Sequence, residues 1–157
     1  MKANELMIGD LLRVNKDVCL KKGTIVEVCV IDADNAFIEK GLKGCATCVS
    51  IKDHCEFGGV WVDFLEPIPL TPEILEKNGF THSFGDSDFY DYEKWEKKVG
   101  DKTIRVIKDH DGWFCRVDDN KLTRSMGIAP AVHTMQNIIR IGGIDKEIKL
   151  SLNEDKL

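Results

Sequence analysis

The sequence predicts an α+β protein in two parts: residues 1–66 as a small SH3-like antiparallel β-barrel, and residues 67–157 as an α+β module with an antiparallel sheet and two helices. Three observations carry that expectation. Short β-branched runs separated by Gly and Asp turns recur before residue 66. Pro67, Pro69 and Pro72 then form a stiff joint that leads into a short, strongly capped helix. Beyond it, hairpin-type strand runs precede a second amphipathic helix, an order that gives a sheet with helices on one face.

In the first part, Ile8–Val14 reads as a strand led in by a Gly9-Asp10 turn, and Lys21–Thr24 as the next turn. Ile25–Ile31 is rich in Val and Ile and reads as the second strand; Asp32–Asn35 turns into a short third one, Ala36–Glu39. Residues 40–48 carry Gly41 and Gly44 and read as a loop, residues 49–52 as a further strand, and Val60–Leu65 as the last strand before the joint.

At the joint, each proline fixes its own φ and pushes its predecessor toward extended geometry. Thr71 is placed as a helix N-cap with Pro72 at the first helical position, where a missing N–H costs nothing. Glu73 suits the positive end of the helix dipole, and Leu70 and Leu75 stand at hydrophobic-staple positions. Gly79 can take the left-handed position that ends the helix, letting Phe80 fold back on Leu75. A helix of about residues 72–78 is far below the ~12–15 residues that stand alone, so tertiary packing must hold it.

In the second part, Thr81–Phe84 and Phe89–Lys97 read as strands around Gly85–Asp88. Thr103–Lys108 and Trp113–Val117 read as a hairpin turned by Asp109–Gly112. Asp118–Lys121 turns again, and no element is defined from there to Ala129. A helix of about residues 130–141 follows Pro130, with Val132, Met135, Ile138 and Ile139 as its apolar face. His133, Gln136, Asn137 and Arg140 make the opposite, polar stripe. Gly142-Gly143-Ile144 is a stop in which Ile144 packs back on Ile139, and Lys146–Leu152 reads as a final alternating strand.

Composition narrows the functions. A length of 157 residues with 43% hydrophobic and 31% charged content is that of an ordinary globular chain. The net charge of −5 argues against a general nucleic-acid or acidic-membrane binder. No apolar run is long enough to span a bilayer, and Met1–Asp10 lacks an apolar signal core, so a cytoplasmic address without membrane partners is expected. In that compartment the six cysteines are not read as a disulfide framework.

Cys45-Ala46-Thr47-Cys48 with His54 and Cys55 is the sharpest chemical signal. A Cys-x-x-Cys turn can present two thiolates to one tetrahedral metal, so a structural zinc is the one cofactor the sequence offers. His54 and Cys55 are adjacent, however, and neighbouring strand residues point to opposite faces. Incidental loop cysteines are therefore the favoured reading, zinc the second, and a redox pair the third. Asp109-His110-Asp111 could pair an imidazole with carboxylates, but Asp and Gly favour such a turn for backbone reasons alone. Asp86, Asp88 and Asp91 resemble the start of a calcium loop, with the required Gly and Glu misplaced. Phe89, Tyr90, Tyr92 and Trp95 with Trp113 and Phe114 could form a stacking or peptide-binding surface, with His133 and Arg140 as a second contact stripe. The plainer reading makes the aromatics a core face and the stripe a solvated one. No phosphate loop, Gly-x-Ser-x-Gly or His-Glu-x-x-His motif occurs, so no catalytic residue is assigned.

Met7–Leu11, the block Leu65–Phe80 and the helix Val132–Ile141 with its Gly-Gly-Ile stop resemble an uncharacterised family of short proteins from gut anaerobes and their phage-like elements. The resemblance implies a mobile-element setting and carries over no mechanism. The expected function is a non-enzymatic protein-interaction module with a protein partner. The alternatives are a nucleic-acid-binding accessory protein and a small enzyme using His110 or His133.

Overall fold

The computed structural model describes residues 6–17, 20–32, 45–50, 56–86, 91–119, 122–144 and 152. It divides into two compact units, one up to Ile68 and one from Pro69 to Leu152.

In the first unit, β1 (Leu11–Val14), β2 (Ile25–Asp32), β3 (Cys45–Ser50), β4 (Glu56–Trp61) and β5 (Leu65–Pro67) form one sheet in the order β4-β3-β2-β1-β5. A 3-10 turn over Val62–Phe64 precedes β5. The expected SH3-like barrel is corrected here: the sheet is open, and among the described residues β4 and β5 stay unjoined edges. The last strand is too short to close a barrel. It has three residues and ends on Pro67, which has no N–H to give to a ladder. Its core gathers Leu12, Val14, Val26, Val28, Val60, Val62 and Leu65. The residues expected as a third strand, 36–39, lie outside the described ones.

In the second unit, β6 (Thr81–Asp86), β7 (Asp91–Val99), β8 (Lys102–Asp109), β9 (Gly112–Asp118) and β10 (Thr123–Ile128) follow one another as an antiparallel meander. β10 is a strand the sequence leaves undefined: Ser125 and Gly127 interrupt its apolar pattern, and a bulge falls between Thr123 and Ser125. Two short helices, α1 (Pro72–Lys77) and α2 (Val132–Ile141), are all the α-helix among the described residues. The chain is thus dominated by strands and is α+β at most, a second correction to the expected class. No helix among them is long and apolar enough to cross a membrane.

Local chemistry explains both helices. Thr71 Oγ1 accepts from Ile74 N at 3.4 Å, and Pro72 opens α1. Gly79 has φ +77°, and Phe80 N and Gly79 N donate to Leu75 O and Glu76 O, a Schellman stop. α2 ends in the same way: Gly143 has φ +79°, and Ile144 N donates to Ile139 O. Pro130 lies one residue ahead of the Ala131 N-cap, where Thr134 Oγ1 accepts from Ala131 N at 3.2 Å. Because the Thr71 bond is long, Thr71→Ala is expected to cost only about 0.5–1 kcal/mol, read as a shift of the urea midpoint at constant slope.

α2 covers one face of the second sheet, and small residues let it come close. A Cβ on Gly142 would stand 2.6 Å from Val117 Cβ, and one on Gly127 would stand 3.2 Å from Ile138 Cδ1. Ser125 Oγ donates to Ile138 O at 2.6 Å. Beneath the helix lie Trp95, Ile104, Val106, Cys115 and Val117, all buried. Val132, Met135 and Ile139 supply the helix side of that core, as its periodicity requires. The polar stripe is corrected in part: His133 and Gln136 are buried, at 6% and 8% exposure, and not solvated.

Candidate functional site: the open face of the second sheet

Strand register decides which side chains share a face. Trp95, Val106, Cys115 and Gly127 form one row and belong to the helix-covered side. The intervening residues belong to the other side, in three rows. The first is Lys94, Ile107, Phe114 and Ile128; the second is Glu96, Arg105, Arg116 and Met126; the third is Lys98, Thr103, Asp118 and Thr123.

That face has two halves. At one end Tyr92, Ile107, Phe114, Arg116 and Met126 line an open groove of about 510 Å³, with Asp109 and Asp111 at its rim. Met126 is 72% exposed and Ile128 68%. At the other end Arg105 and Arg116 stand directly opposite each other on β8 and β9. Two like charges there repel unless carboxylates separate them. Asp118 supplies one: it pairs with Arg105 and, at 3.1 Å, with Arg116 Nε, and it accepts from Thr123 Oγ1 at 2.8 Å. Glu96 supplies the other, pairing with Arg105 and with Lys94 Nζ at 3.2 Å. Burial disfavours ionised Glu96, but the hydrogen bonds and charges of Arg105 and Lys94 outweigh it and hold its pKa below the ordinary 4.5. The same partnership raises the pKa of Arg105.

Tyr92 is set over a glycine. Gly85 is its cross-strand partner on β6, and a Cβ there would collide with the phenol ring. The aromatic fills the space that a glycine leaves in an edge strand. Gly85→Ala is expected to lower stability by about 1–3 kcal/mol, and Tyr92→Ala in the same chain should recover most of it; a double-mutant cycle by urea denaturation checks this.

Of the sequence-predicted aromatic residues, Tyr92 and Phe114 meet at the open groove, and the others described do not join them. Phe89 and Tyr90 lie outside the described residues. Tyr92 is on the open face, whereas Trp95 is buried on the covered face and Trp113 lies beside it at 5.3 Å between ring centroids. His82 stacks on Trp95 at 4.6 Å, and Lys108 Nζ stands 5.5 Å from the Trp113 ring centre. His133 is held within the helix packing, and Arg140 Nη1 donates to Asn137 Oδ1 at 3.2 Å.

The cysteine reading loses its turn. Cys45 and Cys48 both lie in β3, where Cys45 pairs with Asp32 and Trp61, and Cys48 with Val28 and Phe57. A strand stands where the two-thiolate turn was expected; His54 and Cys55 lie outside the described residues. Asp109, His110 and Asp111 do bring ligand atoms within 4.8 Å of one another. Asp109 Oδ1, though, accepts from Asp111 N at 2.8 Å and Gly112 N at 3.1 Å, so it serves the hairpin. Cys115 is a buried thiol whose pKa desolvation pushes up to about 12, which makes it unreactive.

Sequence reasoning missed Ile107, Arg116, Met126 and Ile128. The alternation of residues 103–108 and 113–117 carries the signal for the first two. Met126 and Ile128 carry none, because Gly127 and Ser125 break their pattern. Compared with protein families, with curated proteins and with solved structures, the chain matches none of them.

Proposed function

We propose that this chain is a non-enzymatic protein-interaction module whose second unit docks a protein partner on the open face of its sheet, in the mobile-element setting that the resemblance implies. The observation that carries the reading is the apolar end of that face. Met126 and Ile128 expose most of their surface beside a groove walled by Tyr92, Ile107 and Phe114. A partner that covers them gains roughly 25 cal/mol for each Å² of apolar surface removed from water. A central apolar cluster with charged groups around it is the usual layout of a protein interface.

Aromatic Tyr92 and Phe114 beside Lys94, Lys98, Arg105 and Arg116 also suit single-stranded nucleic acid. The exposed aliphatic pair favours protein, because base stacking makes no use of it. Affinity capture from a lysate of the host, with and without nuclease, tests the choice. One stoichiometric protein that survives nuclease and is lost with Met126→Asp/Ile128→Asp is the expected result. Material that nuclease removes, or capture indifferent to those substitutions, overturns the proposal.

A further inference from the structure

We infer that the partner on the open face is a second copy of this chain, set face to face about a two-fold axis that runs across the strands between the two sheets. The inference rests on the docking role proposed above and names its occupant. A two-fold interface sets one patch against itself, so the patch must match its own reversed copy. This axis lays every strand antiparallel on its own counterpart. Passing through the apolar middle of the face, it exchanges the row of Lys94, Ile107, Phe114 and Ile128 with the row of Glu96, Arg105, Arg116 and Met126.

The exchanged residues match strand by strand. On β7 Lys94 comes over Glu96 of the second copy, and Tyr92, one step further out, comes over Lys98. Lys94 and Glu96 already pair within one chain at 3.2 Å, so the four groups alternate in sign. On β8 Ile107 comes over the alkyl stem of Arg105, and on β9 Phe114 comes over the Arg116 guanidinium. On β10 Ile128 comes over Met126, and each covers the other's exposed apolar surface. Asp109 and Asp111 reach Thr103 and Asp118, of which Asp118 is already neutralised by Arg105 and Arg116. An axis along the strands matches poorly. About the central β8 it sets Arg105 on Arg105, and it puts Met126 and Ile128 over Thr81 and Ser83.

Charge and area agree with a second copy. The chain carries a net charge of −5, so two copies repel each other as wholes. On this face the signs cancel: Lys94, Lys98, Arg105 and Arg116 stand against Glu96, Asp109, Asp111 and Asp118, and Arg124 pairs with Asp119. A strongly basic or acidic partner finds no excess to bind, whereas a copy finds its own pattern reversed. Five strands at about 4.8 Å and four rows at about 6.7 Å give a footprint of roughly 650 Å² on each copy. About 1,300 Å² in all exceeds the roughly 1,000 Å² that a specific interface needs.

Sedimentation equilibrium of the full chain over a range of concentrations tests this. A dimer that stops at two copies is expected, weakened about tenfold or more by Met126→Asp/Ile128→Asp. Lys94→Glu and Glu96→Lys should each weaken self-association, because each sets like charges across the axis. Mixed in equal amounts, the two variants should recover the dimer, since every such contact between them then joins opposite charges. Both variants lose the pair within the chain, so a merely structural effect gives no recovery on mixing. Should Glu96→Lys not fold beside Arg105, Met126→Asp/Ile128→Asp decides alone. A chain monomeric up to about 1 mM overturns the inference. So does an assembly that keeps growing with concentration, a dimer that Met126→Asp/Ile128→Asp leaves intact, or a pair of folded charge variants that do not rescue each other. If the chain is monomeric while capture from the host lysate is still lost with Met126→Asp/Ile128→Asp, the docking face survives and the second copy falls. If neither self-association nor capture responds to those substitutions, both fall.

Discussion

Trp95→Ala is expected to remove about 3–5 kcal/mol from the stability of the second unit, the largest effect of any single truncation there. Trp95 is 1% exposed and is the largest of the fully buried side chains. It stacks on His82 and tilts against Trp113, so its loss leaves a cavity that two ring systems border. A domain of this size holds on the order of 5–15 kcal/mol in all, so the variant sits close to unfolding at moderate urea. The contribution is hydrophobic and aromatic, not polar, because the buried indole N–H has no hydrogen-bond partner. Trp95→Phe therefore tests the source. It discards an unpaired buried donor and keeps a ring, and should cost less than half as much as Trp95→Ala. Urea denaturation followed by far-ultraviolet circular dichroism reads both; equal losses in the two variants would contradict the account.

Asp118→Ala is expected to cost about 2–3 kcal/mol, the second large effect, because it strips three partners from their acceptor. Asp118 accepts from Thr123 and lies between Arg105 and Arg116, which face each other across β8 and β9. Without the carboxylate these two guanidinium groups are left adjacent, with Glu96 serving Arg105 alone. Asp118→Asn keeps the shape and part of the hydrogen bonding and should fall between wild type and alanine. The network also sets a direction in pH. The folded-state pKa of Glu96 lies below its ordinary 4.5. A depressed carboxyl pKa stabilises the fold above its unfolded-state value, and that contribution drains away as pH falls through the folded-state one. Stability of the second unit should thus decline below about pH 4.5, less steeply in Glu96→Gln, as thermal unfolding across the acid range will show. A slope unchanged in Glu96→Gln would remove Glu96 from the cause.

Much of the local structure can be read in the chain. The Thr71-Pro72 start and the Gly79-Phe80 stop of α1 are backbone chemistry within a few residues, and so is the Gly143-Ile144 stop of α2. The β-branched run Thr103–Ile107 and its hairpin partner are likewise local. β10 is not legible, because Thr123–Ile128 has one β-branched residue at each end and a serine and a glycine within. It is a strand because β9 offers it a ladder. The open first sheet was equally hidden: barrel closure depends on whether the end strands can meet, and no single strand encodes that. The Cys45–Cys48 loop became a strand for the same reason, by pairing with β2 and β4.

The site divides along the same line. Sequence by itself determined the caps, the turns and the period of two that separates Tyr92 and Phe114 from Trp95 and Trp113. It could not say which of those two sets is covered. Only the tertiary structure decided that, through the landing of α2 on Gly127, Ser125 and Val117. Residues small enough for close approach drew the helix to one face, buried His133 and Gln136 with it, and left Met126 and Ile128 on the other. Alternation is a property of neighbouring residues, whereas burial depends on what packs across the sheet from far along the chain.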